Sequence, residues 1–403
     1  MVAEDRTVKP KAIKSNARQK TGIHISYSQA HRTKKAIKLL LDGDTKHQFQ
    51  LITLMLRHIK QEGHALDHIL DQDTWDLVRE SDSYNGAFVK LQRSNEGVFM
   101  AAAVLPSASV IAWAFNRRLL VLDGAHCSSP YGGIVLIATT LDANDKTLIL
   151  AWAIVPSEST EWWSWFLMLL QKYLVKPYIE AATEALEAAE EGDDPDIQKL
   201  RIAIITDRGK GLDPSITSYF PEPTGFHYYC TQHLAENVAS KFGKPIEALF
   251  RQAVASPLKA EHNYLIEQIR GLSEAAVVYI DGIGDKRRYC TSYAPLDEYP
   301  RFGHTTSNIG ESMNSRFREE RKLNPLFFLE ALWTKQMQTF YERRMYSHGH
   351  EEFLGQKFTK FALQHQQDRY DLGRKMVCYP SNYSVILIRL HDAPGAIGWI
   401  IDL

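Results

Sequence analysis

The stretch LLVLDGAH, residues 119–126, is the part of this sequence that decides the fold. Four apolar residues in a row, Leu119 to Leu122, are typical of a strand that is buried on both faces. An acidic side chain follows at once at Asp123, where it must be solvated, paired or bound to a cation. Because Asp-Gly is also a common turn dipeptide, these residues alone leave open a simple turn.

The residues downstream predict two more strands and then a helix. The runs Ile134–Leu141 and Leu148–Val155 are apolar, and a Gly-Gly pair and the polar DAND stretch supply the turns. Short turns join antiparallel neighbours, so these two runs and residues 119–123 predict an antiparallel meander. Ser157 or Ser159 then offers the N-cap of a helix that is rich in Trp and Leu.

A fourth apolar run, Ile202–Ile205, also leads to a carboxylate, Asp207 in ITDRGKGL. Three antiparallel strands, a helix and an acid-tipped fourth strand resemble the element order of the ribonuclease H-like fold. In that fold the first and fourth strands lie side by side, so the resemblance implies that Asp123 and Asp207 emerge together. The predicted class is therefore α/β, a ribonuclease H-like mixed sheet flanked by helices, with an all-α insertion and a helical N-terminal region.

Two neighbouring carboxylates suit a divalent metal site that a third acid would complete. Mg²⁺ prefers oxygen ligands, and two such ions about 3.5–4 Å apart can support an in-line phosphoryl transfer. The best third candidate is Glu311 in TTSNIGESMNSRFREER, where Ile309, Met313 and Phe317 would form the apolar face of a helix and Glu311 would lie on the opposite face. The alternative is a surface helix that carries ion pairs.

Five segments in order resemble the Mutator-like element (MULE) transposases: LDGAHCSSPYGGIVLIATTLDAND, VPSESTEWWSWFL, IITDRGKGL, CTQHLAENVASKF and TSNIGESMNSRF. The resemblance runs from about residue 26 to residue 347 and places the D-D-E triad of that family on Asp123, Asp207 and Glu311. It implies an enzyme that binds two Mg²⁺ or Mn²⁺ ions and performs DNA strand cleavage and strand transfer. The expected partners are double-stranded DNA, at transposon ends and at the target, and further copies of the chain on that DNA.

Basic side chains beside the acids are candidates for binding DNA phosphates, which position a duplex without specifying its sequence. They are Arg208, Lys210, Arg316, Arg318 and Arg321. For each of them a solvated surface charge is the alternative.

Cys230 and His233 match a family motif and can share one face of a helix. One Cys-x-x-His pair is only half of a tetrahedral zinc site, and no second pair at standard spacing follows it. We therefore expect packing or a hydrogen bond at this pair rather than zinc, and keep the metal as the alternative.

Composition limits the class of protein. Hydrophobic residues make up 44% of the 403 residues, enough for a sizeable core. Four scattered cysteines indicate a reducing compartment, and the N-terminus has no apolar signal segment. Residues 1–38 carry ten Lys or Arg against two acids. We therefore expect a soluble intracellular protein without a membrane partner. The basic N-terminus is either a solvated tail or a patch for nucleic acid or nuclear import, and the resemblance to DNA transposases implies a nuclear location.

The patterns divide the chain into six segments. They are a basic, poorly ordered arm (1–25), a mainly helical region (26–115), the first part of the ribonuclease H-like core (116–232), a helical insertion (233–304), the C-terminal core helices (305–346) and a tail (347–403). Within the second segment, residues 88–115 are predicted to form strands and an apolar helix. From Cys378 onward the sequence resembles nothing in the family, and the zinc modules that flank many relatives are missing from this sequence. A domesticated or inactive relative that binds DNA and regulates transcription is therefore the alternative function.

Overall fold

The computed structural model describes residues 8–42, 45–62, 87–129, 131–187, 200–209, 211–348, 359–380, 385–390 and 399–402. The chain divides into two compact units, one of residues 1–140 and 147–343 and the other of residues 141–146 and 344–403. Within the described residues, no helix is both long and apolar enough to cross a bilayer.

A seven-stranded mixed sheet is the centre of the first unit. Its spatial order is β1-β2-β5-β4-β3-β6-β7. The pairs β1–β2, β2–β5 and β3–β4 are antiparallel, whereas β3–β6 and β6–β7 are parallel. This sheet confirms the predicted α/β class, and β3, β4 and β5 are consecutive neighbours as the meander requires. The strands are β1 (Phe88–Arg93), β2 (Phe99–Leu105), β3 (Leu119–His126), β4 (Ile134–Leu141), β5 (Thr147–Val155), β6 (Ile202–Thr206) and β7 (Gly225–Tyr229).

Helices cover both faces of this sheet. A π-helical turn, Gln171–Val175, joins α5 to α6, and 3-10 turns lie at Lys286–Arg288, Thr291–Tyr293 and Glu320–Lys322. The α-helices are α1 (Pro10–Thr21), α2 (Tyr27–Asp42), α3 (Thr45–Glu62), α4 (Ser107–Phe115), α5 (Thr160–Leu170), α6 (Lys176–Glu187), α7 (Leu212–Tyr219), α8 (Thr231–Phe242), α9 (Lys244–Ala255), α10 (Lys259–Leu272), α11 (Glu274–Asp281), α12 (Asn308–Arg316) and α13 (Pro325–His348).

The two faces of the sheet bury separate hydrophobic cores because side chains alternate along each strand. Leu136 on β4 packs with Trp163 and Phe166 of α5. Its neighbour Ile137 points the other way and packs with residues of α12 and α13, including Phe328. The result is a three-layer arrangement in which α5 and α12 lie on opposite faces.

The N-terminal part of the first unit differs from the sequence prediction in two respects. Residues expected to form a poorly ordered arm include helix α1, which begins with Pro10 at its first position and ends where Gly22 has φ 69°. The second difference concerns β1 and β2. They come from the region 26–115 yet extend the central sheet, because the apolar run Phe99–Leu105 pairs with β5. The predicted boundary at residue 116 therefore does not separate two structural units.

The segment between β7 and α12 is helical. It contains α8 to α11 and no strand within residues 233–304, all of which the structure describes. These helices have a hydrophobic core of their own, which includes Leu234, Phe250 and Ile269. The N–H of Thr231 donates to the carbonyl oxygen of Thr305 at 2.9 Å, so the two ends of the insertion meet.

The second unit contains one further helix and a small sheet. Helix α14 (Lys360–Gly373) precedes β8 (Met376–Pro380), β9 (Val385–Leu390) and β10 (Trp399–Asp402). These strands form an antiparallel sheet in the order β10-β9-β8. The segment predicted only as a tail therefore has secondary structure of its own.

Candidate metal centre

The parallel pairing of β3 with β6 determines where Asp123 and Asp207 lie. Leu119 pairs with Ala203 and Val121 pairs with Ile205. Two residues further along each strand, the same register brings Asp123 level with Asp207, which directly follows the last residue of β6. Both carboxylates therefore lie where β6 ends beside β3. Strand β3 itself continues past Asp123 to His126, so Asp123 and Gly124 are strand residues and do not form the turn that the dipeptide left open.

The carboxylate of Asp123 is held by two hydrogen bonds in a largely buried position. The backbone N–H of Gly124 donates to Oδ1 at 3.0 Å, and Nδ2 of Asn314 donates to Oδ2 at 2.6 Å. Burial raises the pKa of Asp123 to about 7, and the nearby charges of Asp207 and Glu311 add to that rise against the hydrogen bond from Asn314. A bound cation would relieve this unfavourable charge.

A fourth acid, Glu158, lies at the same edge. A Cβ atom placed on Gly209 would be 2.9 Å from Oδ1 of Asp207 and also 2.9 Å from Oε1 of Glu158. The two oxygens are therefore separated by no more than twice that distance. Burial raises the pKa of Glu158, and the charge of Asp207 raises it further.

Sequence reasoning did not select Glu158. It precedes the N-cap of α5, Ser159, which accepts a hydrogen bond from the N–H of Trp162. An acid near a helix N-terminus is commonly explained by the helix dipole, so its position alone carries no functional signal. The signal lies in tertiary structure, because Oε1 of Glu158 and Oδ1 of Asp207 both lie beside Gly209. The indole N–H of Trp163, in the first turn of α5, donates to Oε1 of Glu158 at 3.3 Å.

Glu311 reaches the centre on α12, as the sequence predicts a helix there. Ile309, Met313 and Phe317 are buried, which confirms the apolar face of this helix. Its backbone lies directly against β3, since a Cβ atom on Gly310 would be only 2.7 Å from the Cβ of Asp123. Glycine before Glu311 is thus what allows the helix to approach the acid-bearing strand.

The carboxylate of Glu311 lies beside the side chains of Cys230 and His233. Potential ligand atoms of Cys230, His233 and Glu311 all lie within 4.8 Å of one another. Among the described residues, Asp123 and Asp207 form no equally compact set with either Glu311 or Glu158. Oε1 of Glu311 is 3.6 Å from Nε2 of His233. Asp123 is nevertheless close enough to Asp207 and Glu311 for both of their charges to raise its pKa.

A hydrogen bond joins the side chains of Cys230 and His233. Burial alone would raise the pKa of the Cys230 thiol, but hydrogen bonds from His233 and Ser307 outweigh burial and lower it. The hydrogen bond with Cys230 raises the pKa of His233 to about 9. Ser307, the residue before α12, donates its backbone N–H to Sγ of Cys230 at 3.2 Å.

The basic residues predicted to contact DNA fall into three groups. Arg208, Arg316 and Arg318 are exposed. Arg321 instead donates to the backbone carbonyl of His126 at 2.8 Å, so it stabilises the end of β3. Lys210 lies outside the described residues.

The residues at this edge fit a hard divalent cation. Asp123, Asp207 and Glu158 supply the carboxylate oxygens that Mg²⁺ and Mn²⁺ prefer. A second observation is the side-chain oxygen of Asn314, which is buried and has no hydrogen-bond partner although its amide nitrogen binds Asp123.

Compared with known proteins, the chain matches no family model and no curated protein.

Proposed function

We propose that this chain is the catalytic core of a MULE-type transposase, with a ribonuclease H-like sheet that performs metal-dependent DNA strand cleavage and strand transfer. The observation that carries the proposal is the parallel register of β3 and β6, which brings Asp123 level with Asp207. The antiparallel β3–β4 pair and the neighbouring β5 support the same fold. We place this activity in the nucleus, on double-stranded DNA bound by more than one copy of the chain.

In this proposal the acids hold and orient the reacting groups. Asp123 and Asp207 bind Mg²⁺ or Mn²⁺, which supplies charge stabilisation for the attacking and leaving oxygens of a phosphodiester. Asn314 fixes the orientation of Asp123 through its amide N–H. Glu158, whose pKa is raised, can accept the proton that the attacking water gives up as its oxygen bonds to phosphorus. The 3′-oxygen that leaves takes up a proton, and the freed 3′-hydroxyl then attacks a phosphodiester of the target strand. A new phosphorus–oxygen bond forms there while the bond from that phosphorus to the target's 3′-oxygen breaks, and that oxygen leaves with the proton.

Glu311 would complete the acid set by a change of side-chain rotamer. Its side chain is 43% exposed and is held by Ser307 and His233, at 3.3 and 3.6 Å respectively. The exposed Arg208, Arg316 and Arg318 would contact phosphates on either side of the scissile bond.

A plasmid-nicking assay in Mg²⁺ or Mn²⁺ tests the proposal. We expect the parent chain to nick supercoiled DNA, and Asp123→Asn, Asp207→Asn and Glu311→Gln to remove the activity without loss of fold. Asp297→Asn, at an exposed position in the insertion, is the matched control and should nick like the parent. Nicking by Asp207→Asn at the rate of the parent would refute the assignment.

The second candidate is a DNA-binding, transcription-regulatory relative without catalysis. One observation favours it, namely that the ligand atom of Glu311 lies within 4.8 Å of those of Cys230 and His233, which form no such compact set with Asp123 and Asp207 among the described residues. In that case the parent chain would bind duplex DNA but fail to nick it in either metal. The same assay, combined with a DNA-binding measurement, therefore separates the two functions.

A further inference from the structure

Three potential metal ligands of different chemical type, from two distant parts of the chain, meet near the edge of the sheet that carries Asp123 and Asp207. Cys230 is the N-cap residue of α8, and His233 lies in the first turn of that helix. Glu311 lies in the first turn of α12. Their Sγ, ring nitrogen and carboxylate oxygen all lie within 4.8 Å of one another. The Cys230-x-x-His233 pair supplies only two of the ligands that a metal site needs, and the fold brings Glu311 beside the pair as a third.

The chemistry of this set differs from that of the neighbouring carboxylates. A thiolate, an imidazole and a carboxylate are the three ligand types of Zn²⁺, and a catalytic or exchangeable zinc site uses three protein ligands with a fourth position open to water. Mg²⁺ selects oxygen ligands and disfavours sulfur. A site with Cys230 as a ligand would therefore select a borderline transition metal over Mg²⁺.

We propose that Cys230, His233 and Glu311 bind one Zn²⁺ ion, with the fourth position open to water. This site adjoins the proposed carboxylate centre, and Glu311 is common to both. The proposal does not depend on the reaction that the chain catalyses, because it stands on the ligand geometry alone.

The backbone around the site is fixed, and the exposed ligands have room to adjust. The N–H of Thr231 donates to the carbonyl oxygen of Thr305, and the N–H of Ser307 donates to Sγ of Cys230. Cys230 is 1% exposed and forms the floor of the site. The side chains of His233 and Glu311 are 35% and 43% exposed.

The adjustment that a metal requires is small. Zinc–ligand bonds of roughly 2.0–2.3 Å place tetrahedral ligands about 3.5 Å apart. The largest separation in the set is 4.8 Å or less, so movement of about 1 Å by the two half-exposed side chains would close the site. Nε2 of His233 and Oε1 of Glu311 are already 3.6 Å apart.

Cobalt titration of the metal-free full-length chain tests this site without DNA or activity. Co²⁺ replaces Zn²⁺ at such sites, and a thiolate ligand gives a sulfur-to-cobalt charge-transfer band in the near ultraviolet. We expect this band to saturate at one equivalent of Co²⁺, to disappear when Zn²⁺ is added, and to persist in excess Mg²⁺. Absence of the band in the parent chain, or its loss in Mg²⁺ alone, would overturn the proposal.

Variants assign the band to this cluster. Cys230→Ser should remove it, whereas Cys127→Ser, at another buried free thiol, should keep it. If Cys230→Ser does not fold, His233→Gln tests the site instead, because a substitution at this half-exposed position should leave the fold intact. Since loss of a partner outside the ligand shell already costs roughly 10–100-fold in metal affinity, loss of His233 should weaken Co²⁺ binding by at least about tenfold. A band unchanged in His233→Gln would assign the cobalt to another site.

Discussion

Asp123→Asn should stabilise the metal-free protein at neutral and alkaline pH. The pKa of Asp123 is raised from 3.8 to about 7, chiefly by burial. Between about pH 4 and pH 7 the folded chain therefore holds a proton that the unfolded chain has released. A group whose folded pKa is raised loses its stabilising contribution as the pH rises through that window, so the free energy of unfolding should fall from pH 4 to pH 8.

The size of the effect follows from the width of the window. The difference of about three units between the folded and unfolded pKa of Asp123 could lower the free energy of unfolding by at most about 4 kcal/mol. Partial access of solvent to the carboxylate reduces this, so we expect Asp123→Asn to add about 2 kcal/mol at pH 8.

The hydrogen bonds of the variant can be conserved. An asparagine at 123 keeps one acceptor for the N–H of Gly124 and presents an amide nitrogen to Asn314. The side-chain oxygen of Asn314 is buried and has no hydrogen-bond partner in the parent. A flip of the Asn314 amide would let this oxygen accept a hydrogen bond from the new amide nitrogen at position 123. The hydrogen bond from Asn314 that the substitution removes is thereby replaced by one in the opposite direction.

Urea unfolding in a chelator, at pH 4 and pH 8, measures the effect. The difference between variant and parent should be close to zero at pH 4 and about 2 kcal/mol at pH 8. Mg²⁺ should stabilise the parent, because metal binding favours the ionised carboxylate, and should stabilise the variant less. Asp297→Asn, at an exposed position, should leave the pH dependence unchanged. A variant that is less stable than the parent at pH 8 would refute this reasoning.

Three further predictions concern the same edge of the sheet. Gly310→Ala should destabilise the fold by about 1–3 kcal/mol, measured by urea unfolding, because its Cβ would be 2.7 Å from that of Asp123. Glu158→Gln should keep the fold and weaken Mn²⁺ binding, measured by calorimetry; equal affinity would remove Glu158 from the ligand set. DNA affinity should fall steeply with salt, and replacing Arg316 and Arg318 by Gln should reduce the slope of log K against log salt by about 0.9 for each phosphate that the protein no longer neutralises.

The strands could be predicted because their pattern is local. Runs such as Leu119–Leu122 and Ile202–Ile205 are short and apolar, and both are strands in the structure. The end of the first strand could not be predicted in the same way, because Asp123 and Gly124 continue β3 as far as His126. The side-by-side placement of these two strands came from the element order, and the parallel register of β3 and β6 confirms it. The buried face of α12 followed from helical periodicity in the same way.

The remaining features depend on tertiary contacts that local patterns do not contain. Nothing near Phe99–Leu105 indicates that this strand pairs with β5. Glu158 precedes an N-cap, and only the packing of the following helix beside the end of β6 brings its carboxylate near Asp207. Likewise, Cys230 meets Ser307 and Glu311 only because the helical insertion returns to its starting point.

The hydrogen bond between Thr231 and Thr305 has a consequence for how this fold tolerates change in length. The two ends of the insertion lie one N–H to O distance apart, 2.9 Å, so the sheet does not constrain how many residues lie between them. Loop-closure entropy grows only with the logarithm of length, and each doubling costs roughly 0.6 kcal/mol. Chains with a longer or shorter insertion would present Asp123 and Asp207 in the same register, and new termini opened within the insertion would leave the strand order intact.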